Sequence, residues 1–156
     1  MASPTTLHAA TESHPWTDML LFPLAQIQPS QLYMSAVKLA YVLARWPVRL
    51  AMLEPLPIQH LNGRIIYTDG HTRAFAAYRL GFTEVPIMWD EDELDWEAYQ
   101  ICVDWCLEEG IHTLADLEGR VIPQEQYAAL WYERCRVMQD ALDRQRAERA
   151  GHSGIS

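Results

Sequence analysis

The sequence predicts a mixed α/β (α+β) fold: a small mixed sheet followed by a helical C-terminal section. Three observations carry that expectation. Two β-rich runs meet at Asn62-Gly63, a dipeptide that a two-residue hairpin turn prefers because both positions tolerate positive φ. A strand, a loop and an Ala-rich helical run follow one another from Arg64 to Gly81 and lead into Val85-Pro86-Ile87-Met88-Trp89, a further strand pattern. Beyond residue 90 the apolar residues recur at intervals of three and four, which is a helical period.

Taken in order, residues 1–18 are rich in Thr, Ser, His, Ala and Pro without any period and read as a loose arm. Residues 19–89 form the predicted core. Leu21 to Ile27 is a first strand, ended by Gln28-Pro29-Ser30. Ser35 is placed to cap a helix through Lys38, Leu39, Val42 and Leu43 that stops before Pro47. Residues 47–55 fit no single pattern. Leu56 to Leu61 and the β-branched, aromatic run Arg64 to Thr68 flank the turn. The helix from His71 to Leu80 turns Ala74, Phe75, Ala77 and Tyr78 toward a sheet, and Gly81 stops it as a left-handed cap. Pro86 suits an edge strand or a bulge.

Residues 90–150 read as a helical section packed on that core. Six acids lie in the eight residues Asp90 to Glu97, a solvated loop running into a helix start that favours negative charge. Trp96 to Leu107 is a mostly buried helix ended by Gly110, Thr113 to Leu117 a short capped turn, and Pro123 the start of a long helix. Residues 151–156 read as a disordered tail.

The composition excludes several classes. The chain has 156 residues, 49% apolar and 21% charged, a globular balance without internal repeats. Its apolar stretches are too short to span a bilayer, and it opens without a secretory leader, so the expected location is the cytoplasm. The three cysteines, Cys102, Cys106 and Cys135, read as reduced, buried thiols. The net charge of −9 is unevenly spread: residues 24–89 carry +3 and residues 90–150 carry −10. With a single lysine, Lys38, and this balance, duplex DNA is a poor partner. A small anion held by one or two basic groups and backbone donors fits better.

The chemistry concentrates in Thr68-Asp69-Gly70-His71-Thr72-Arg73 between a strand and a helix. A helix start leaves backbone N–H groups without partners and carries a partial positive charge. Gly70 lets a ligand approach the backbone and permits an unusual φ. Thr72 adds a hydroxyl, Arg73 a planar fork suited to phosphate oxygens, and His71 a group able to donate to an oxyanion or carry a proton. Asp69 repels phosphate, so it must cap the helix, orient His71 or Arg73, hold a metal such as Mg²⁺, or act as a base toward a hydroxyl. The bland alternative makes Asp69 only a cap, Gly70 only a turn and Arg73 only a surface partner of Glu84. Five such groups in consecutive positions favour an anion site. Glu54 is the further carboxylate near the strand leading to it.

On these residues, Ile65 to Ala74, then Ala77, Leu80-Gly81 and Val85-Pro86-Ile87, the chain resembles the ParB/sulfiredoxin superfamily. The likeness covers roughly residues 22–89, including Ile27 to Ser30 and Leu56-Pro57-Ile58. The resemblance implies that Gly70, His71, Thr72 and Arg73 contact nucleotide phosphates, with Ser30 beside them at the exit of the first strand. Sulfiredoxins carry a catalytic Cys where this chain has Gly70. ParB proteins carry Arg where it has Thr72. The loop is most similar to that of the free serine kinases, which place a catalytic Glu where this chain reads Ser30-Gln31. The implied function is binding of a nucleotide or phosphoryl ligand (ATP, ADP or CTP with Mg²⁺); one version of it adds chemistry, as phosphotransfer to a small hydroxyl-bearing molecule or nucleotide hydrolysis. In that version Asp69, His71 and Glu54 are the catalytic candidates. The alternative is a non-enzymatic, nucleotide-responsive module that binds a protein partner through its acidic helical half.

Overall fold

The computed structural model describes residues 20–46 and 53–153. The arm expected over 1–18 lies outside them, as do most of the unassigned stretch and residues 154–156 of the expected tail.

The architecture is α+β with a small mixed sheet. Strands β1 (Leu20–Pro23), β3 (Leu56–Leu61), β4 (Arg64–Tyr67) and β5 (Glu84–Trp89) make a four-stranded sheet in the order β1-β5-β3-β4. β1 pairs antiparallel with β5, β5 parallel with β3, and β3 antiparallel with β4. The hairpin between β3 and β4 closes at Asn62 and Gly63, both with positive φ, 49° and 82°. This is the primed turn whose twist matches that of the strands. Helix α2 (His71–Arg79) crosses from β4 to β5 and buries Ala74, Phe75, Ala76 and Ala77 completely. Its end is a Schellman closure: Phe82 N–H donates to the Ala77 carbonyl at 3.0 Å, with Gly81 in the left-handed region.

The first strand is shorter than expected. It ends at Pro23, and Leu24–Gln26 is a turn of 3₁₀ helix. The chain then runs beside β4, with Gln28 N–H donating to the Ile65 carbonyl at 2.7 Å and Tyr67 N–H to the Gln28 carbonyl at 3.2 Å. That detour carries Pro29-Ser30 to the exit of β4. Pro86 is not on an edge strand, because β5 lies between β1 and β3. The ladder to β3 begins one residue later, at Leu56–Ile87, so the missing N–H falls where pairing on that side has not begun.

Helix α1 (Ala36–Ala44) is capped as expected: Ser35 Oγ accepts from Lys38 N–H at 3.2 Å. Its entry is β2 (Met34–Ser35), which pairs in parallel with β6 (Val121–Ile122). In the C-terminal section, α3 (Trp96–Glu108) is capped by Asp95. A 3₁₀ turn (Leu114–Leu117) opens with a Thr113/Asp116 capping box. The long final helix is not uniform. It comprises α4 (Gln124–Tyr127), a π turn (Ala128–Tyr132) and α5 (Glu133–Ser153). It continues through Gly151 to Ser153, where a disordered tail was expected; no helix-stopping turn intervenes at that glycine. One contiguous apolar cluster holds both Leu56, Ile58 and Phe75 of the sheet layer and Leu117, Trp131 and Met138 of the C-terminal section. Among the described residues no helix is long and apolar enough to cross a membrane.

Candidate functional site

The predicted loop lies at the mouth of α2, and its geometry is set by Gly70. That residue is the N-cap of α2, with φ 78° and ψ 20°, and makes no side-chain cap bond. Asp69, expected among other roles to cap the helix, instead turns back on the loop, where its Oδ1 accepts the Gly70 N–H at 2.7 Å. The carboxylate is otherwise exposed. The first intrahelical bond is Ala74 N–H to the Gly70 carbonyl at 2.9 Å. Among the described residues, the amides of His71, Thr72 and Arg73 have no protein partner. They are the free donors a helix start presents.

Arg73 folds back beneath this mouth. Its Nη1 donates to the Glu54 carbonyl at 2.8 Å, and its Nη2 would stand 2.9 Å from a Cβ placed on Gly70. A side chain here would have to displace the ends of Leu56 and Arg73 as well as adopt the positive φ. Arg73 is anchored by the backbone of Glu54 and not by Glu84. The Glu54 side chain is exposed and lines neither of the cavities described below.

His71 is buried. Its Nε2 accepts the Ser30 N–H at 3.0 Å, which puts the ring proton on Nδ1, and Ser30 Oγ donates to the Tyr67 carbonyl at 2.9 Å. Burial lowers the imidazole to a pKa of about 4, with the Asp69 charge pulling the other way. The ring is thus neutral near pH 7 and ties the segment at Ser30 to the loop. It stands 5.3 Å from the ring of Tyr67, whose buried hydroxyl has no partner among the described residues.

Two cavities meet at this point. The larger, a cleft of about 540 Å³, is lined by the whole string Asp69 to Arg73. Across from it stand α1, through Lys38 and Tyr41, and the C-terminal helix, through Tyr127. Lys38, the sole lysine, lies over the rings of Tyr127 and Tyr132 at 5.1 and 4.8 Å and hydrogen-bonds the Tyr132 hydroxyl. The smaller, a chamber of about 210 Å³, lies between the loop and helices α3 and α5. Gln31, Asp69 and His71 line both. In the chamber wall, the Tyr99 hydroxyl donates to the Thr68 carbonyl at 2.7 Å. Burial, then the charge of Asp69, pushes that phenol up to about 12, so it remains a donor.

Of the residues singled out in the sequence, Asp69, Gly70, His71, Thr72 and Arg73 share the cleft, while Ser30 lines the chamber. Among the described residues Asp69 is the sole carboxylate lining the cleft, and no three His, Cys, Asp or Glu side chains gather as a metal group. Sequence reasoning missed Gln31, Lys38, Tyr41, Tyr99 and Tyr127. Only Lys38 carried a signal, as the one lysine of an acidic chain. The tyrosines sit on periodic helical runs that read equally well as packing. The π turn, a feature frequent at functional sites, falls where the last helix passes the site, with Tyr127 on the cleft and Trp131 on the chamber.

No protein-family model and no curated protein matches the chain. Among solved structures, protein Atu1540 from Agrobacterium tumefaciens is similar over 72% of this chain and 66% of that one, at 14% identity and a TM-score of 0.45.

Proposed function

We propose that the chain binds a nucleotide or other phosphoryl ligand in the cleft, as the resemblance of its loop to the ParB/sulfiredoxin superfamily implies. One observation carries the reading: three unpartnered helix-start amides, the Arg73 guanidinium and the Lys38 ammonium border one cleft. Backbone donors with a cation at a helix mouth form an anion site. The cleft's volume, about 540 Å³, lies in the usual range for small-molecule sites. The aromatic wall of Tyr41 and Tyr127 offers a face for a base or sugar, while the loop takes the phosphates. ATP, ADP and CTP are the ligands to try first. A Mg²⁺ arriving with the nucleotide would find a protein ligand in Asp69, since Mg²⁺ in such sites takes one or two carboxylates plus phosphate oxygens. It would supply neutralisation of phosphate charge.

Phosphotransfer extends this reading. Asp69 borders the cleft and the chamber alike. A small hydroxyl-bearing molecule in the chamber would bring its hydroxyl to Asp69, which, as the base nearest the phosphates, would take the proton in place of holding Mg²⁺. Neutral His71 would serve by holding Ser30 and the loop in place. The lone carboxylate at the cleft favours the second reading, a nucleotide-responsive module without chemistry whose acidic helical half meets a protein partner.

A thermal-shift titration with ATP, ADP, CTP and inorganic phosphate, with and without Mg²⁺, tests the site. At one hundred times Kd a ligand adds about 2.7 kcal/mol to apparent stability, and Arg73→Ala is expected to abolish that gain. A shift that survives in the mutant, or none in the wild type, removes the reading. Release of ADP from ATP on adding hydroxyl compounds separates the enzyme from the binding module.

A further inference from the structure

The chamber wall holds a pair of groups that phosphoryl binding does not use. Cys102 lies on α3 and Cys135 on α5, two helices in direct contact, and both side chains line the chamber. Both therefore open onto the same small space of about 210 Å³. The neighbouring Cys135 thiol, with burial, holds Cys102 above the usual thiol range, whereas Cys102 and the charge of Arg134 draw Cys135 below its ordinary value. Cys135 is also the half-exposed member, and Cys102 is buried. The more accessible thiol of such a pair is the one an oxidant reaches first, and the shielded one is placed to resolve it. The third thiol, Cys106, one turn further along α3, is fully buried and lines neither cavity.

We propose that Cys102 and Cys135 form a reversible redox site, a disulfide that joins α3 to α5 across the chamber when the protein meets a peroxide or a low-molecular-weight disulfide.

With hydrogen peroxide, the Cys135 thiolate attacks one oxygen. The O–O bond breaks, hydroxide leaves and takes up a proton, and Cys135 becomes a sulfenic acid. The Cys102 sulfur gives up its proton and attacks the Cys135 sulfur, the S–O bond breaks, and a second water departs. Two electrons pass from the two thiols to the peroxide, and a dithiol reductant returns them. The bridge fixes two walls of the space that adjoins Asp69 and His71. If the chamber admits an acceptor, as the proposed function holds, thiol state governs its entry. That consequence rests on the proposed function, whereas the disulfide does not.

The test treats the full chain with hydrogen peroxide or oxidised glutathione. The expected result is an intact mass lower by two hydrogens and, after proteolysis, a reducible cross-link between the Cys102 and Cys135 peptides. Cys106→Ala retains the cross-link and Cys135→Ser loses it. Cys135→Ser replaces a half-exposed residue and so tests the pair even if Cys102→Ser fails to fold. Oxidation should also raise the melting temperature of the wild type by several degrees, since the bridge closes a loop of the unfolded chain. A cross-link through Cys106, or stable oxidation of Cys135 alone, overturns the proposal. A correct cross-link with nucleotide shifts absent in both redox states would sink the phosphoryl reading and leave the redox site standing.

Discussion

His71, a catalytic candidate in the sequence, is in the fold also the group that joins Ser30 to the loop. An imidazole beside Asp69 and Arg73 suggests a proton carrier, yet its Nε2 lone pair is taken by the Ser30 amide and its surroundings exclude water. The energetic consequence has a definite sign. The folded pKa, about 4, lies below the 6.5 of a free imidazole, so between these values the unfolded chain binds the extra proton. Stability therefore rises with pH across that window and falls as the solution is acidified from about 6.5 toward 4. At 1.36 kcal/mol per pKa unit the full loss is about 3 kcal/mol. Urea titrations of wild type and His71→Gln at several pH values isolate this contribution from that of the carboxylates. The variant should start less stable at pH 7 and lose less on acidification. Parallel curves would show that His71 does not carry the linkage.

At the level of the element, the loop before α2 depends on Gly70 more than on any polar neighbour. An added methyl would meet Leu56 Cδ2 at 2.8 Å and Arg73 Nη2 at 2.9 Å, in a backbone already at φ 78°. Gly81 shares the left-handed backbone but has nothing within 4 Å of such a methyl. Gly81→Ala should therefore cost only the conformational penalty, about 1–2 kcal/mol. Gly70→Ala should cost more and also weaken ligand binding by displacing Arg73; equal denaturation midpoints for the two variants would contradict the crowding argument. These glycines also mark what the sequence makes legible. The hairpin at Asn62-Gly63, the Gly81 stop, the Ser35 cap and the site string itself are local signals, in which a few adjacent residues specify backbone geometry. The identity of the α2 cap was not legible, because Asp69 satisfies every capping rule and yet bonds its own neighbour's amide. Nor were the β2–β6 pair and the π turn. The first joins two-residue strands 87 positions apart, with Met34 opposite Val121, too short for any alternation. The second breaks no apolar period.

At the level of the whole molecule, the question is whether residues 20–89, which carry the recognisable string, fold by themselves. Charge and motif content divide the chain near residue 90, but hydrogen bonds and apolar contacts do not. The Gln28 side chain donates to the Ile111 carbonyl at 2.8 Å and Gln31 to the Tyr127 hydroxyl at 2.8 Å. Met34 N–H donates to the Arg120 carbonyl at 2.9 Å, and Tyr99 closes on Thr68. Removing residues 90–156 would bare the partners of Ile111, Leu114, Leu117 and Trp131, all buried in the shared core. Each such side chain represents about 1.5–3 kcal/mol of burial, so four amount to roughly 6 kcal/mol or more against a typical total of 5–15 kcal/mol. A chain cut after Trp89 should accordingly lack a cooperative thermal transition by circular dichroism and give a poorly dispersed amide NMR spectrum. It should also fail to bind nucleotide, even though the Asp69 to Arg73 string is intact, because Tyr127 and the part of the chamber wall supplied by α3 and α5 are gone. A sharp melt from that fragment would instead make residues 90–156 an attached module, and the cleft a property of the sheet and its two helices alone.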